Sequence, residues 1–241
     1  MAIRTQSPPQ LPDLDFEAMT AEELISWAHQ FFWPRIRLTC SWQKQSSVLV
    51  HMIAGLERVP AVVELDTHLF FRESYETRDR LVERYGLNLI QPSIPTIAEQ
   101  HQTEGPNLWE RDPDRCCEIR KVEPLTRKLG DLDAWIVGVR REQSPTRAGA
   151  RKIAWDESFE VWKAAPLADW STEQVDTYIA QHELEVNPLH AQGYASIGCT
   201  HCTRPGSGLR QSQPSSGVCG QKKAASSRPP FSASSWFRRM C

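Results

Sequence analysis

The 241-residue chain has no long hydrophobic run. No stretch approaches the roughly 18 uninterrupted apolar residues that a membrane span requires. The proline-rich N-terminus has no apolar core of the kind found in secretory signals. We therefore expect a cytoplasmic protein that does not span a membrane. With 40% hydrophobic and 24% charged residues, its composition is that of a globular protein with one domain and a tail.

Acidic residues are missing from one part of the chain. Residues 203–241 contain seven Lys and Arg and no Asp or Glu, whereas residues 1–202 contain 21 basic and 30 acidic residues. The Ser-, Pro- and Gly-rich composition of this segment cannot bury enough apolar area to offset its ordering entropy. We expect a flexible N-terminal segment over 1–19, one domain over 20–205, and a disordered, low-complexity basic tail over 206–241. The scattered charges of the tail argue against nucleic-acid binding.

Between these ends, the hydrophobic pattern alternates between buried strands and amphipathic helices. We predict strands at 36–40, 59–65, 87–91 and 134–139, and shorter ones at 154–155 and 159–163. We predict helices at 20–32, from 48 onward, at 72–85, around 97–101, at 115–129 and at 171–182. This alternation predicts an α/β fold, with an open, mostly parallel sheet and helices on both faces.

Two polar loops follow the first two predicted strands. Residues 41–47 follow one strand, and Asp66 and Thr67 follow the next. Ligands of open parallel sheets bind outside the carboxyl ends of the strands, and a polar loop entering a helix offers backbone N–H groups to phosphate or sulfate. A plain connecting turn fits the pattern equally well. The stretch lacks the Gly-Lys-Ser/Thr of a Walker loop.

A third polar loop, residues 138–147, follows the strand predicted at 134–139 and contains three arginines. Guanidinium groups bind phosphate and sulfate oxygens in a bidentate manner. Because these arginines come at the carboxyl end of a strand, the position favours an anion-binding loop over a merely solvated one.

Four of the seven cysteines form two close pairs, Cys116-Cys117 and Cys199-x-x-Cys202. In a cytoplasmic chain, clustered cysteines indicate metal or redox chemistry rather than disulfides. Four thiolates suit either zinc or an iron–sulfur cluster. A tandem pair on a helix is awkward for a zinc knuckle, which favours the cluster. Lys121, on the same helical face as Cys117, would stabilise the thiolate charge. Cys40, inside a strand, is expected to be a buried apolar residue.

These segments together resemble the assimilatory sulfonucleotide reductases, the adenylyl-sulfate and phosphoadenylyl-sulfate reductase family. The likeness runs from about residue 20 to 205. The motifs that carry it are Ser41-Trp42-Gln43, Leu65-Asp66-Thr67 followed by Phe71-Arg72-Glu73-Ser74-Tyr75, Cys116-Cys117-x-x-Arg120-Lys121 with Cys199-x-x-Cys202, and Gly138-x-Arg140-Arg141-x-Gln143-Ser144-x-Thr146-Arg147.

The resemblance implies an adenine nucleotide α-hydrolase-like fold and thioredoxin-dependent reduction of adenylyl sulfate to sulfite and AMP in sulfate assimilation. In this family the four-cysteine pattern marks a [4Fe-4S] cluster, here held by Cys116, Cys117, Cys199 and Cys202, and goes with adenylyl sulfate as substrate. Lys121 would couple the cluster to the substrate. Carried over by position, the substrate-binding residues would be Ser41, Gln43, Asp66, Thr67, Arg140, Arg141, Gln143, Ser144, Thr146 and Arg147.

The resemblance stops at Pro205. Family members end in Glu-Cys-Gly-Leu/Ile-His, whose cysteine forms an S-sulfocysteine that thioredoxin cleaves, and this chain has no such motif. Cys219-Gly220 preserves two of its letters, which makes Cys219 the candidate nucleophile.

Three alternatives stay open at this point. The chain is compatible with a homologue that binds nucleotide and cluster but has lost turnover, and with a phosphoadenylyl-sulfate reductase. A zinc-stabilised ATP pyrophosphatase is disfavoured because residues 41–47 lack the Ser-Gly-Gly-x-Asp-Ser loop of that group. The sequence is also compatible with a homo-oligomer.

Overall fold

The computed structural model describes residues 9–206, which form a six-stranded sheet in the order β3-β2-β1-β4-β6-β5. The strands are β1 Ile36–Cys40, β2 Val62–Glu64, β3 Leu89–Ile90, β4 Ala134–Ile136, β5 Ile153–Asp156 and β6 Val161–Ala164. Neighbouring strands are parallel, except that β5 pairs antiparallel to β6 at the edge. The predicted open, mostly parallel sheet is confirmed.

Helices connect these strands as the alternation predicts. They are α1 Ala21–Phe32, α2 Lys44–Ala54, α3 Arg72–Tyr85, α4 Ile97–Glu104, α5 Leu108–Arg111, α6 Pro113–Cys117, α7 Glu123–Leu129 and α8 Thr172–Gln181. Short 3₁₀ turns occupy Arg141–Gln143, Pro145–Arg147 and Pro188–Gln192. Within residues 9–206, no helix combines the length and the apolar character that crossing a membrane requires.

Two helix boundaries follow directly from capping residues. The Thr20 hydroxyl accepts the Glu23 N–H, and the Glu23 carboxylate accepts the Thr20 N–H, so α1 begins with a reciprocal capping box. Gly86 ends α3 with φ at 58°, a left-handed conformation that glycine adopts at little cost. Both boundaries agree with the sequence prediction.

The helix predicted over 115–129 is interrupted by a π-helical turn, Glu118–Val122, between α6 and α7. Pro124 has no N–H, and its ring would clash with the carbonyl four residues earlier in a continuous α-helix. The wider turn changes the hydrogen-bond register just before this proline. Such turns often occur at functional sites, and this one directly follows the first cysteine pair.

The sheet separates two hydrophobic clusters, which confirms that helices cover both faces. Along β4, Ala134 and Ile136 face the cluster that includes residues of α1, α2 and α8, whereas Trp135 packs with residues of α7 on the other face. Part of the segment predicted to be flexible, residues 9–19, contacts the first cluster through Leu11, Phe16 and Met19.

The chain changes direction across the sheet between β1 and β4, and this crevice is where open α/β sheets bind ligands. The helix α2 starts here, four residues before the predicted Val48, and lies directly against the end of β4. A Cβ placed on Gly138 would lie only 2.9 Å from the Gln45 Cβ. Glycine at this position therefore permits the N-terminus of α2 to reach the crevice.

We expect Gly138→Ala to lower the free energy of unfolding by about 1–3 kcal/mol, because the added methyl group pushes α2 away from β4. Urea unfolding monitored by circular dichroism measures this difference. Gly149→Ala is the matched control, since a Cβ at Gly149 meets no atom within 4 Å. Equal unfolding midpoints for the two variants would contradict the tight packing described for Gly138.

Candidate functional site

The two cysteine pairs converge in the folded chain. Cys116, Cys117, Cys199 and Cys202 line one small cavity, together with Leu69, Trp109, Pro113, Arg120 and Lys121. Cys116 and Cys199 are buried, and Cys117 and Cys202 are partly exposed. The convergence of two pairs so far apart in sequence is what a shared inorganic centre requires.

The second cysteine pair is attached to the loop that follows β2. Cys199 forms an isolated antiparallel bridge with Phe70, and the Thr200 N–H donates to the Leu69 carbonyl at 2.8 Å. The Thr67 hydroxyl lies 3.2 Å from the Cys199 sulfur. The loop after β2 therefore fixes where the second pair lies.

The loop after β1 contacts the same segment through Gln43. Its side-chain Oε1 accepts the Ser196 hydroxyl at 3.1 Å and the Ile197 N–H at 3.0 Å. Gln43, predicted to bind substrate, thus connects the start of α2 to the chain that leads into Cys199.

The first cysteine pair is followed by two buried cations. Arg120 is 1% exposed and Lys121 is 9% exposed. The Arg120 Nη1 donates to the Thr67 carbonyl at 2.9 Å and to the Pro95 carbonyl at 3.1 Å. Burial lowers the pKa of Arg120, and the sulfurs of Cys116 and Cys199 oppose that shift. The cavity therefore combines four sulfurs with two cationic side chains.

The donor chemistry of this cavity fits an iron–sulfur cluster. Its possible ligands are four thiols, the ligand set of such clusters, and neither a carboxylate nor an imidazole lines it. Among residues 9–206, no group of three or more His, Cys, Asp or Glu side chains is already arranged around a metal position. What the structure shows of the four thiols is that they line one cavity.

The loop Ser41–Gln43 has the geometry expected of an anion site at a helix start. The Ser41 N–H donates to the Ser46 hydroxyl at 3.1 Å, and the N-cap residue Gln43 makes no side-chain capping bond to α2. The 11-residue helix α2 begins beside the crevice between β1 and β4, and the dipole at its N-terminus favours negative charge there. Lys44, the first residue of α2, pairs with Asp176 of α8 at 2.6 Å.

Asp66 and Thr67 lie next to this loop at the end of β2. The Asp66 carboxylate accepts the His68 N–H at 2.8 Å and the Tyr75 hydroxyl at 2.7 Å. Burial, together with this carboxylate, raises the pKa of Tyr75. Thr67 is completely buried, with its hydroxyl beside the Cys199 sulfur and its carbonyl bonded to Arg120.

In the arginine loop, Arg140 and Arg141 bind other parts of the protein. Arg140 is 4% exposed, and its guanidinium donates to the Trp170 carbonyl at 3.0 Å and to the Thr172 hydroxyl at 3.1 Å. Arg141 donates to the Ala150 carbonyl at 2.8 Å and pairs with Glu17 at 2.5 Å. The sequence prediction assigned both to the substrate, and it did not anticipate these contacts.

The rest of this loop is bonded internally. Arg147 donates to the Gln143 side-chain oxygen, and the Ser144 and Thr146 hydroxyls lie 2.9 Å apart. Gln143 also accepts the Arg140 N–H at 3.1 Å. These side chains lie together in the loop after β4.

Several residues of the site were not predicted from the sequence. Arg120 belongs to the motif Cys116-Cys117-x-x-Arg120-Lys121, but nothing in the sequence indicated that it would be buried against Thr67. Trp109 stacks on His201 with ring centroids 4.3 Å apart, beside the cysteine cavity. The predicted nucleophile, Cys219, lies outside the described residues. Cys40 is buried as predicted, and burial raises its thiol pKa to about 12.

Comparisons with known proteins agree with this geometry. Residues 35–205 match the model of the phosphoadenosine phosphosulfate reductase domain family. Adenosine 5′-phosphosulfate reductase 1 of Bacillus subtilis is 41% identical over 188 residues, covering 77% of this chain and 80% of that protein. An adenosine 5′-phosphosulfate reductase of Staphylococcus epidermidis is 41% identical over 204 residues, covering 83% of this chain and 84% of that protein.

Solved structures of other proteins share the fold of this chain. A phosphoadenylyl-sulfate reductase from Candida auris, in a phosphate complex, superposes with a TM-score of 0.72 at 25% identity and covers 82% of this chain and all of that one. An FMN adenylyltransferase from Candida glabrata, with a TM-score of 0.55 and 14% identity over 75% of this chain and 60% of that one, shares the fold alone.

We expect Arg140→Gln to lower the free energy of unfolding by about 1.5–3 kcal/mol, because it removes hydrogen bonds from a buried charged group. Arg147→Gln, in the same loop but more exposed, should change it by less than about 0.5 kcal/mol. Equilibrium urea unfolding of the two variants measures the contrast. If both lose the same stability, the structural role inferred for Arg140 is wrong.

Proposed function

Because the chain belongs to the phosphoadenosine phosphosulfate reductase family, we propose that it reduces adenylyl sulfate to sulfite and AMP, with thioredoxin or a similar dithiol protein as electron donor. The observation that carries this proposal is the convergence of the four cysteines beside the loops after β1 and β2. The relatives at about 40% identity are named as adenosine 5′-phosphosulfate reductases. Their names favour adenylyl sulfate over the 3′-phosphorylated nucleotide.

In this proposal the anionic part of the substrate binds at the start of α2. Ser41 and Gln43 flank the first N–H groups of this helix, and a helix N-terminus stabilises a bound phosphate or sulfate. The related structure from Candida auris is a phosphate complex, which supports an anion site in this fold. Asp66 and Thr67 would border the nucleotide on the β2 side.

The arginine loop after β4 would approach the substrate from the other side of the crevice. Arg147, Ser144, Thr146 and Gln143 are the members of this loop best placed to reach it, because Arg140 and Arg141 already bind protein groups. We propose that Arg140 and Arg141 contribute to substrate binding mainly by holding this loop in position.

Cys116, Cys117, Cys199 and Cys202 would hold a [4Fe-4S] cluster. When bound, the cluster would supply an iron–sulfur centre next to the sulfated nucleotide. Lys121 and Arg120 would balance the negative charge of the four thiolates. Lys121 is the cation that we propose to lie between the cluster and the substrate.

The nucleophile has to be a cysteine outside this cavity. Its thiolate would attack the sulfate sulfur, forming a sulfur–sulfur bond and releasing AMP. Reduced thioredoxin would then attack the cysteine sulfur, so that sulfite leaves and the donor ends as a disulfide. Cys40 is unsuited because burial raises its thiol pKa to about 12. We propose Cys219, because Cys219-Gly220 preserves the Cys-Gly of the family motif.

A second function has one specific observation in its favour. The chain contains no Glu-Cys-Gly-Leu/Ile-His sequence, the family motif that carries the nucleophile. A homologue that binds nucleotide and cluster without turnover would have this property.

We expect the anaerobically purified protein to release sulfite from adenylyl sulfate when reduced thioredoxin is present. The 3′-phosphorylated nucleotide should react roughly 100-fold more slowly. Without thioredoxin, mass spectrometry should find a covalent sulfonate on Cys219.

The matched variants are Cys219→Ser, which should abolish both sulfite and sulfonate, and Cys241→Ser, which should retain both. AMP binding without sulfite release or sulfonate would reject the reductase and support the homologue without turnover. A sulfonate on Cys241 would reject only the assignment of the nucleophile.

We also expect the same preparation to be brown, with absorbance near ~400 nm and bound iron and sulfide. Cys202→Ala should lose this absorbance because it removes one thiolate ligand. Cys40→Ala, which changes a buried cysteine outside the cavity, should keep it. A colourless protein with bound zinc would show that the proposed cluster is wrong.

A further inference from the structure

The middle residue of the proposed anion-binding loop has an unusual backbone conformation. Trp42 has φ at 55°, in the left-handed region, and its side chain is completely buried. Residues other than glycine rarely adopt this conformation, and bulky ones do so least. Such a conformation persists only where the surrounding structure enforces it. The loop Ser41–Gln43 therefore needs a specific contact to hold its shape.

A buried carboxylate provides this contact. The Trp42 indole N–H donates to the Glu64 Oε1 at 2.6 Å, and the Glu64 side chain is completely buried in β2. The other oxygen accepts the Gln91 amide at 2.5 Å and lies 3.6 Å from an Arg78 guanidinium nitrogen. Burial raises the pKa of Glu64, and these three partners oppose that shift.

We propose that Glu64 is a positioning residue, whose hydrogen bond to Trp42 holds the loop Ser41–Gln43 in the conformation that binds the anionic part of the nucleotide. This inference rests on the proposed function, because it assigns the nucleotide to the start of α2. Glu64 itself is buried beneath the loop and does not need to touch the substrate.

The consequence of losing this bond follows from the neighbours of Trp42. Ser41 contacts Ser46 of α2, and Gln43 is the N-cap of that helix. Release of Trp42 from its left-handed conformation would change the direction of the chain at both residues. It would also move the Gln43 oxygen away from Ser196 and Ile197. One hydrogen bond thus sets the position of the anion site relative to the second cysteine pair.

The inference depends on the hydrogen bond and not on the charge of Glu64. A Glu64→Gln side chain still offers an oxygen to Trp42, because the Gln91 amide can turn to match the new group. Glu64→Ala removes the acceptor, and Trp42→Phe removes the donor. These variants separate a positioning role from a general need for a buried charge.

We expect Trp42→Phe and Glu64→Ala each to raise the KM for adenylyl sulfate and the Kd for AMP by about tenfold or more. Because the reacting groups are untouched, kcat should change by no more than about twofold. Glu64→Gln should stay within about twofold of wild type in both constants. The double variant should be no worse than the more impaired single variant, since both lose the same bond. Calorimetric titration with AMP and steady-state kinetics measure these constants.

Trp135→Phe is the matched control, because Trp135 is also buried but packs in the cluster on the other face of the sheet. It should leave KM and Kd unchanged. An unchanged Kd in Trp42→Phe, or an equal increase in Trp135→Phe, would overturn the inference. An increase in Glu64→Gln as large as in Glu64→Ala would also overturn it. If Glu64→Ala does not fold, Trp42→Phe alone tests the bond.

The two proposals can fail separately. A wild-type protein that binds AMP but produces no sulfite would reject the proposed function, and the AMP constants would still decide the role of Glu64. A wild-type protein that does not bind AMP would overturn this inference.

Discussion

The site depends on the contacts of a single buried residue, Thr67. Its carbonyl accepts the guanidinium of Arg120, which follows the first cysteine pair, and its hydroxyl touches the sulfur of Cys199 in the second. Thr67 lies in the loop that follows β2, three residues after Glu64. This one loop residue therefore links the two cysteine pairs, which lie about eighty residues apart in the sequence. A site of this kind keeps its geometry only where such supporting contacts hold its loops in place.

Charge is the second constraint on this site. Arg120 and Lys121 are both buried, and burying a cation is costly unless opposite charge or hydrogen-bond acceptors surround it. Carbonyl oxygens satisfy part of Arg120, and the sulfurs of Cys116 and Cys199 oppose the lowering of its pKa by burial. If the cavity holds the proposed cluster, ionised thiols would also stabilise the two cations, and cluster binding would be coupled to the folding of this region.

Much of the fold could be predicted because local and global signals agree. The capping residues Thr20 and Gly86 mark helix ends by their own chemistry, and the alternation of strands and helices gives the parallel sheet. The π-helical turn before Pro124 was missed because a helical pattern continues through it. The partners of Arg140 were missed because an exposed and a buried guanidinium look alike in sequence. Whether a charged side chain is buried depends on partners that are distant in sequence, such as Trp170 and Thr172 for Arg140. No short sequence pattern identifies such partners.

The contacts of Glu17 join parts of the domain that are distant in sequence. Its carboxylate pairs with Arg141 and accepts the Lys152 N–H at 3.0 Å, so the arginine loop is anchored by a residue more than a hundred positions earlier. Contacts of such long sequence separation form late, because the intervening chain must first be ordered. During synthesis, Glu17 cannot make these contacts until the arginine loop and Lys152 have been added to the chain. The N-terminal part of the domain is thus tied to the arginine loop only after most of the chain has been made.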